Sequence, residues 1–308
     1  MSAEKITLRD VAEEFLSYLE GVRRFSPNTV IAYRNDYALL AEILGSAADS
    51  PVDGITADDL RACLEEAASI KKKESSLNRF IASTRSLFSY CRRWGYTEVN
   101  PAEGLKSVRQ PRNLPLFMFP QEAEALCAEP ERTGLLWEKR DAALFAMLYS
   151  SGCRVSEAAL LTLGDFSRDF ETALVRGKGN KDRLVFFDEK AVAALRDYLP
   201  ERDAAARAAG GRDRGAVFLN RRGLPLTPRG IRYIVARYSG VEGVNRHVYP
   251  HAFRHTFATQ MLANGADVRV VQEMLGHSNI STTQRYTHVT TERLKGVYHG
   301  AHPHGGQN

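Results

Sequence analysis

The sequence predicts a mainly α chain in two parts: an all-helical N-terminal domain and a mixed α/β second domain with a small antiparallel sheet. Helical spacing of apolar residues carries the first part. Two β-prone runs, 171–176 and 183–187, flank GKGNKD, a string of hairpin composition, and carry the sheet. Asn100-Pro101 and RQPRNLPLF (109–117) place three prolines in a stretch of little periodicity, which marks a linker at 109–116. At 308 residues the chain is long enough for two cores.

Residues 7–20 (TLRDVAEEFLSYLE) put apolar side chains at 8, 11, 12, 15, 16 and 19, one face of a helix. Ser26-Pro27 supplies a cap and a first-turn proline for a second helix. Tyr33, Tyr37, Leu40, Ile43 and Leu44 lie on its inner side, and Gly45 can end it. Thr56-Ala-Asp-Asp opens a third helix to about Ser69, and Ser75 to Trp94 makes a fourth. Residues 1–108 thus read as one helical domain.

The second domain, 117–298, opens with a helix after Pro120 and another from about Lys139 to Tyr149. Gly152 breaks the chain before a helix at Ser156–Leu161. After the hairpin come an Ala/Arg-rich helix and loop (189–214), helices around 228–238, 250–264 and 267–275, and a short one near 281–286. Gly265 and Gly276 sit where C-terminal caps belong. The tail from His299 (HGAHPHGGQN, 299–308) reads as disordered.

Hydrophobic content of 44% and charged content of 26% are those of a soluble globular protein. The formal net charge of +5 leans toward a polyanionic partner. That charge is uneven: residues 1–110 hold 15 Lys+Arg against 16 Asp+Glu, leaving 27 against 21 for the rest. Within the neutral half, Lys71, Lys72, Lys73, Arg79, Arg85, Arg92 and Arg93 face only Glu74 across residues 71–93. Cys63, Cys91, Cys127 and Cys153 are scattered, with no CxxC pair, which argues against a disulfide framework or zinc site. The N-terminus lacks an apolar signal region, and no window reaches the ~18 apolar residues of a membrane span, so a cytoplasmic protein is expected.

Six residues form one chemical set: Arg154, Lys178, His251, Arg254, His277 and Tyr286. Cations and imidazoles of this kind can hold and protonate a phosphodiester, and a tyrosine can carry the phosphate as a nucleophile. On a helix, His251 and Arg254 share a face, three residues apart. A zinc reading of His251 and His255 fails because Ala252 stands where HExxH needs its glutamate. His277 follows the Gly276 cap, and Tyr286 comes nine residues later. Arg154 stands between Gly152 and a helix start, where a guanidinium can grip two phosphate oxygens. Glu157 can orient Arg154 or Arg254, although an i,i+3 ion pair at the surface is worth little. Lys178 sits at the hairpin tip, with Lys181 as its rival, in a string that is not a Walker A motif.

The strings SGCRVSEAALL, GKGNKDR, HAFRHTFAT and LGHSNISTTQRYTHV together resemble the catalytic domain of the tyrosine recombinase (phage-integrase) family. The likeness is nearest to the Xer branch, and the ending VYHGAHP leans to its XerC type. SPNTVIAYRND is a looser match to the family's SAM-like core-binding domain. The resemblance implies a C-shaped clamp on duplex DNA, with Tyr286 attacking the scissile phosphate. Arg154, Arg254 and His277 would stabilise the oxyanion. Lys178 would protonate the leaving 5′-oxygen, and His251 would act as base or phosphate-orienting partner. A 3′-phosphotyrosyl link and a Holliday junction follow, with no metal, nucleotide or other cofactor.

The resemblance also implies a homo- or hetero-tetramer on two DNA sites, a second Xer recombinase (XerD-like) and a septal DNA translocase as partners, and resolution of chromosome dimers. Lys71, Lys72 and Lys73 are then candidates for phosphate contacts, with Arg79 and Arg85 deeper in the helix as readers of base edges. A type IB topoisomerase, a mobile-element integrase and a catalytically silent DNA-binding protein are the other classes this sequence admits. Strand exchange between two duplexes separates the first, and an intact Tyr286 with both arginines speaks against the last.

Overall fold

The computed structural model describes residues 6–70, 73–110, 118–176, 182–239, 250–276 and 291–303. Its contacts divide the chain into two compact units, Met1–Leu114 and Pro115–Asn308.

The first unit is built from four α-helices among its described residues: α1 (Leu8–Gly21), α2 (Pro27–Leu44), α3 (Ala57–Ile70) and α4 (Glu74–Arg93). Local chemistry fixes their starts. Thr7 and Asp10 cap α1 reciprocally, each side chain meeting the other's backbone N–H. The Ser26 hydroxyl accepts from the Thr29 N–H, and Pro27 occupies the first turn of α2. Thr56 and Asp59 repeat the reciprocal arrangement ahead of α3. The core joins Phe15, Leu16 and Leu40 to Phe80, Ile81, Leu87 and Phe88. The expected fourth helix starts at Glu74, so Lys73 precedes it as the capping residue.

The second unit centres on α6 (Glu138–Ser151), whose residues are buried around most of the circumference. It packs against α5 (Pro120–Thr133), α8 (Glu189–Ala208) and α10 (Pro250–Ala263). Between these lie α7 (Val155–Leu160) and the antiparallel pair β1 (Thr172–Arg176) and β2 (Asp182–Phe186), in register Thr172↔Phe186 and Val175↔Arg183. Helices α9 (Pro228–Ser239), α11 (Val268–Leu275) and α12 (Thr291–Ala301) are its other α-helices among the described residues. The hairpin tip at 177–181 and the expected short helix near 281–286 lie outside the described residues.

The C-terminal end departs from expectation. Residues 299–301 are helical rather than disordered, because α12 is anchored by burial of its last turn. Tyr298 is 1% exposed, stacks on Phe186 at 5.5 Å between centroids, and meets the Ser150 hydroxyl at 2.6 Å. His302 stacks on Tyr298 at 4.8 Å, its Nδ1 3.6 Å from the Asp188 carboxylate. Aromatic area removed from water outweighs the poor helix propensity of a His/Gly-rich sequence. Residues 304–308 lie outside the described residues. No helix among the described residues is long and apolar enough to cross a membrane.

Candidate active site

Three arginines converge where the α6–α7 turn, β2, α10 and α11 meet. The turn is made by Gly152, at φ 60° and ψ 22°. A Cβ there would lie 2.7 Å from the Phe257 ring and 3.1 Å from a Leu275 methyl, so conformation and space both require glycine. Cys153 follows, buried, with burial pushing its thiol up to about 11, so it stays protonated.

Arg154 caps α7. Its backbone N–H donates to Glu157 Oε2 at 2.7 Å, its Nη1 to Oε1 at 2.7 Å, and its Nη2 to the Gly276 carbonyl at 3.0 Å. Glu157 is not the surface partner that its spacing suggests: its side chain is 3% exposed. It also accepts Arg183, from Nη1 at 2.8 Å and Nη2 at 2.9 Å. Burial would raise the Glu157 carboxyl; the hydrogen bonds and charge of Arg183, then the bonds from Arg154, outweigh this and hold it below the usual glutamate range.

Arg254 is buried within α10 and donates to two backbone carbonyls, Gly152 at 2.9 Å and Leu275. It makes no ion pair among the described residues. Burial, with Arg154 and Arg183 nearby, pulls its guanidinium down to about 10, so it remains charged at neutral pH. Of the two orientations open to Glu157, the structure selects Arg154 and leaves Arg254 to the carbonyls. His251 lies exposed on the first turn of α10. Partial burial and the charges of Arg254, His255 and Arg154 lower its pKa below the ordinary histidine value.

The last carbonyls of α11 organise the cluster. Met274 accepts from Arg183 at 2.7 Å, Leu275 from Arg254, and Gly276 from Arg154. This is the negative end of the helix dipole, which favours cations. Among the described residues, three guanidiniums around one carboxylate leave a surplus of two positive charges, fit to receive a phosphodiester whose charge grows in the transition state. Lys178, His277 and Tyr286 lie outside the described residues. No group of three or more His, Cys, Asp or Glu side chains among the described residues could hold a metal ion.

Sequence reasoning missed Arg183, which closes the GKGNKDR string, and a basic face on α9. Arg229, Arg232 and Arg237 are exposed there beside Tyr233, which is 58% exposed. The signal was legible, since residues 221–237 hold five arginines and no acid.

In the first unit, Lys73 is exposed, while Lys71 and Lys72 lie outside the described residues. Arg79 grips the Asp36 carboxylate through Nε at 2.9 Å and Nη2 at 3.0 Å, and Ser83 Oγ adds a bond at 3.2 Å. Arg85 is half-buried, and its Nε has no hydrogen-bond partner among the described residues. The expected basic stripe is not one face: residues 79 and 85 are six apart, roughly 240° around a helix at about 100° per residue.

Comparison with known proteins covers both units. The phage integrase family matches residues 117–293, and the phage integrase N-terminal SAM-like domain matches residues 12–95. Tyrosine recombinase XerC of Treponema denticola is 44% identical over 305 residues, covering 96% of this chain and 100% of that protein. Tyrosine recombinase XerC of Listeria monocytogenes serotype 4b is 38% identical over 291 residues, covering 94% and 97%. A crystal structure of a lambda integrase dimer bound to a COC′ core site shares the fold, with a TM-score of 0.67 at 16% identity over 92% of this chain and 100% of that one.

Proposed function

The chain belongs to the phage integrase family of tyrosine recombinases, and from that membership we propose how it works. It is a site-specific DNA strand transferase of the XerC type. Its substrate is a duplex recombination site, cut and rejoined by recombinase subunits assembled on DNA. The observation that carries the mechanism is the arginine cluster at the end of α11, with its surplus charge and one guanidinium that no carboxylate pairs among the described residues.

In this reading, Tyr286 attacks the scissile phosphate. Arg154 and Arg254 hold its non-bridging oxygens, and His277, next in sequence after the Gly276 cap, adds a hydrogen bond. His251, neutral at pH 7, can accept a proton or orient the phosphate. Lys178 delivers a proton to the leaving 5′-oxygen. The covalent 3′-phosphotyrosyl link conserves the bond energy, so rejoining needs neither metal nor nucleotide. A hydroxyl from another strand then attacks to give a Holliday junction.

The exposed arginines of α9, with Lys71, Lys72, Lys73, Arg79 and Arg85 of the first unit, supply DNA contacts. Resolution of chromosome dimers in the cytoplasm, with an XerD-like second recombinase and a septal DNA translocase, is the role that fits the XerC relatives.

A duplex nicked near the cleavage point tests the chemistry, because the short product strand diffuses away and strands the intermediate. The chain should form a covalent adduct, and Tyr286→Phe should lose it while retaining DNA binding. An adduct from the Phe variant would assign the nucleophile elsewhere.

A further inference from the structure

Arg183 has no role in the mechanism above, yet it is bound more fully than either phosphate-holding arginine. Its side chain is 11% exposed, against 33% for Arg154. All three of its N–H-bearing nitrogens are used: Nη1 and Nη2 on the two Glu157 oxygens, Nε on the Met274 carbonyl. Space for it is built in. Gly276 adopts φ 65°, and a Cβ there would come 3.1 Å from Arg183 Cδ. We propose that Arg183 is a positioning residue for DNA cleavage: it occupies half of the Glu157 carboxylate and ties it to the end of α11, so that Arg154 stays presented to the phosphate. The inference rests on the recombinase reading.

The argument is one of lone pairs. Glu157 Oε1 receives Arg154 Nη1 and Arg183 Nη1; Oε2 receives the Arg154 backbone N–H and Arg183 Nη2. Four donors saturate a buried carboxylate. Without Arg183, two acceptor positions would be emptied in a site that water reaches poorly. The nearest donor is Arg154, which would swing onto the carboxylate in the paired geometry that arginine and carboxylates favour. A guanidinium so engaged is withdrawn from phosphate. The bond to Met274 would go as well, loosening the helix end from which residue 277 departs. With Nε, Nη1 and Nη2 all engaged, Arg183 acts on Glu157 and the end of α11 rather than on DNA.

The test uses the full chain and a nicked duplex carrying the site recovered from a randomised duplex pool. Arg183→Ala should slow single-turnover adduct formation by about 30-fold or more while changing the Kd for that duplex less than about threefold. Arg183→Lys should not restore the rate, because an ammonium cannot span both oxygens and the carbonyl.

The distinguishing readout is a double-mutant cycle. In a Glu157→Gln background there is no carboxylate charge to satisfy, so Arg183→Ala should cost less than about threefold. A rate loss that persists undiminished in that background overturns the proposal, as does an Arg183→Ala rate within threefold of the unsubstituted chain. If Arg183→Ala does not fold, Arg183→Lys carries the same cycle. Failure of the unsubstituted chain to form any adduct would overturn the recombinase reading, and this inference with it.

Discussion

Each unit sets a buried carboxylate beneath an arginine, yet the two arrangements differ in what they leave over. In the first unit, Asp36 is fully buried and, among the described residues, pairs with the Arg79 guanidinium, with Ser83 beside it. In that pair one charge meets one charge. In the second unit, Glu157 is shared by Arg154 and Arg183, and Arg254 stands close by, held among the described residues by backbone carbonyls. Among the described residues, two positive charges are left unbalanced. A balanced pair fixes the direction of a side chain, which suits recognition. An unbalanced cluster stores electrostatic attraction for an anion that is not yet there, which suits catalysis. Burial makes the difference matter, because the same surplus on an open surface would be screened.

The largest effects should come from the unbalanced cluster. Arg254→Lys keeps the charge but cannot reach both the Gly152 and Leu275 carbonyls and still offer two donors to phosphate. Arg154→Ala removes a donor pair outright. Each should lower the adduct rate by about 10²-fold or more, several kcal/mol of transition-state stabilisation, with a smaller change in affinity for the uncut duplex. Equal losses in binding and cleavage would reduce the cluster to an anchor and erase its contrast with the first unit.

The balanced pair should respond in stability and selectivity instead. Arg79→Ala leaves the Asp36 charge buried without its ion partner, at a cost of about 3 kcal/mol in denaturant unfolding of the full chain. Asp36→Asn removes that charge and should unfold less easily than Arg79→Ala. By releasing Arg79, it should narrow the preference for the selected duplex over a scrambled one by about tenfold, the scale of one lost bidentate base contact. Unchanged selectivity in Asp36→Asn, measured by competition binding, would show that Arg79 serves the fold alone.

These two carboxylates also show what a sequence reveals. Helices and hairpin were legible because their signals are local: Thr7 with Asp10, Ser26 with Pro27, and the apolar face of 7–20. The Arg154–Glu157 spacing was visible too, but not its burial, which turns a surface pair into a foundation. Arg183 escaped notice because it lies 26 residues from Glu157 and 91 from Met274. Only the β1–β2 register and the docking of α11 bring them together. The last turn of α12 was hidden for a related reason. Its Gly and His composition reads as loose chain, and the apolar surface that captures it comes from Phe186, Phe257 and Met261, distant in sequence.

The smallest effect expected is a shift in a pH profile. Burial, Arg254, His255 and Arg154 all disfavour the imidazolium of His251. Its pKa therefore lies below the ordinary value of 6.5, and the ring is neutral at pH 7. If the neutral ring accepts a proton or a hydrogen bond in cleavage, the adduct rate should be level above pH 6.5. It should then fall toward tenfold per pH unit once the medium is more acidic than the folded-state pKa. Removing a neighbouring cation eases protonation, so Arg154→Ala should carry the acid limb to higher pH on top of its lower plateau. His251→Gln, which cannot titrate, should abolish the limb. A limb that survives His251→Gln would belong to another group. One that stays put in Arg154→Ala would mean that the surplus charge at the end of α11 does not reach His251, and that the cluster acts on phosphate alone.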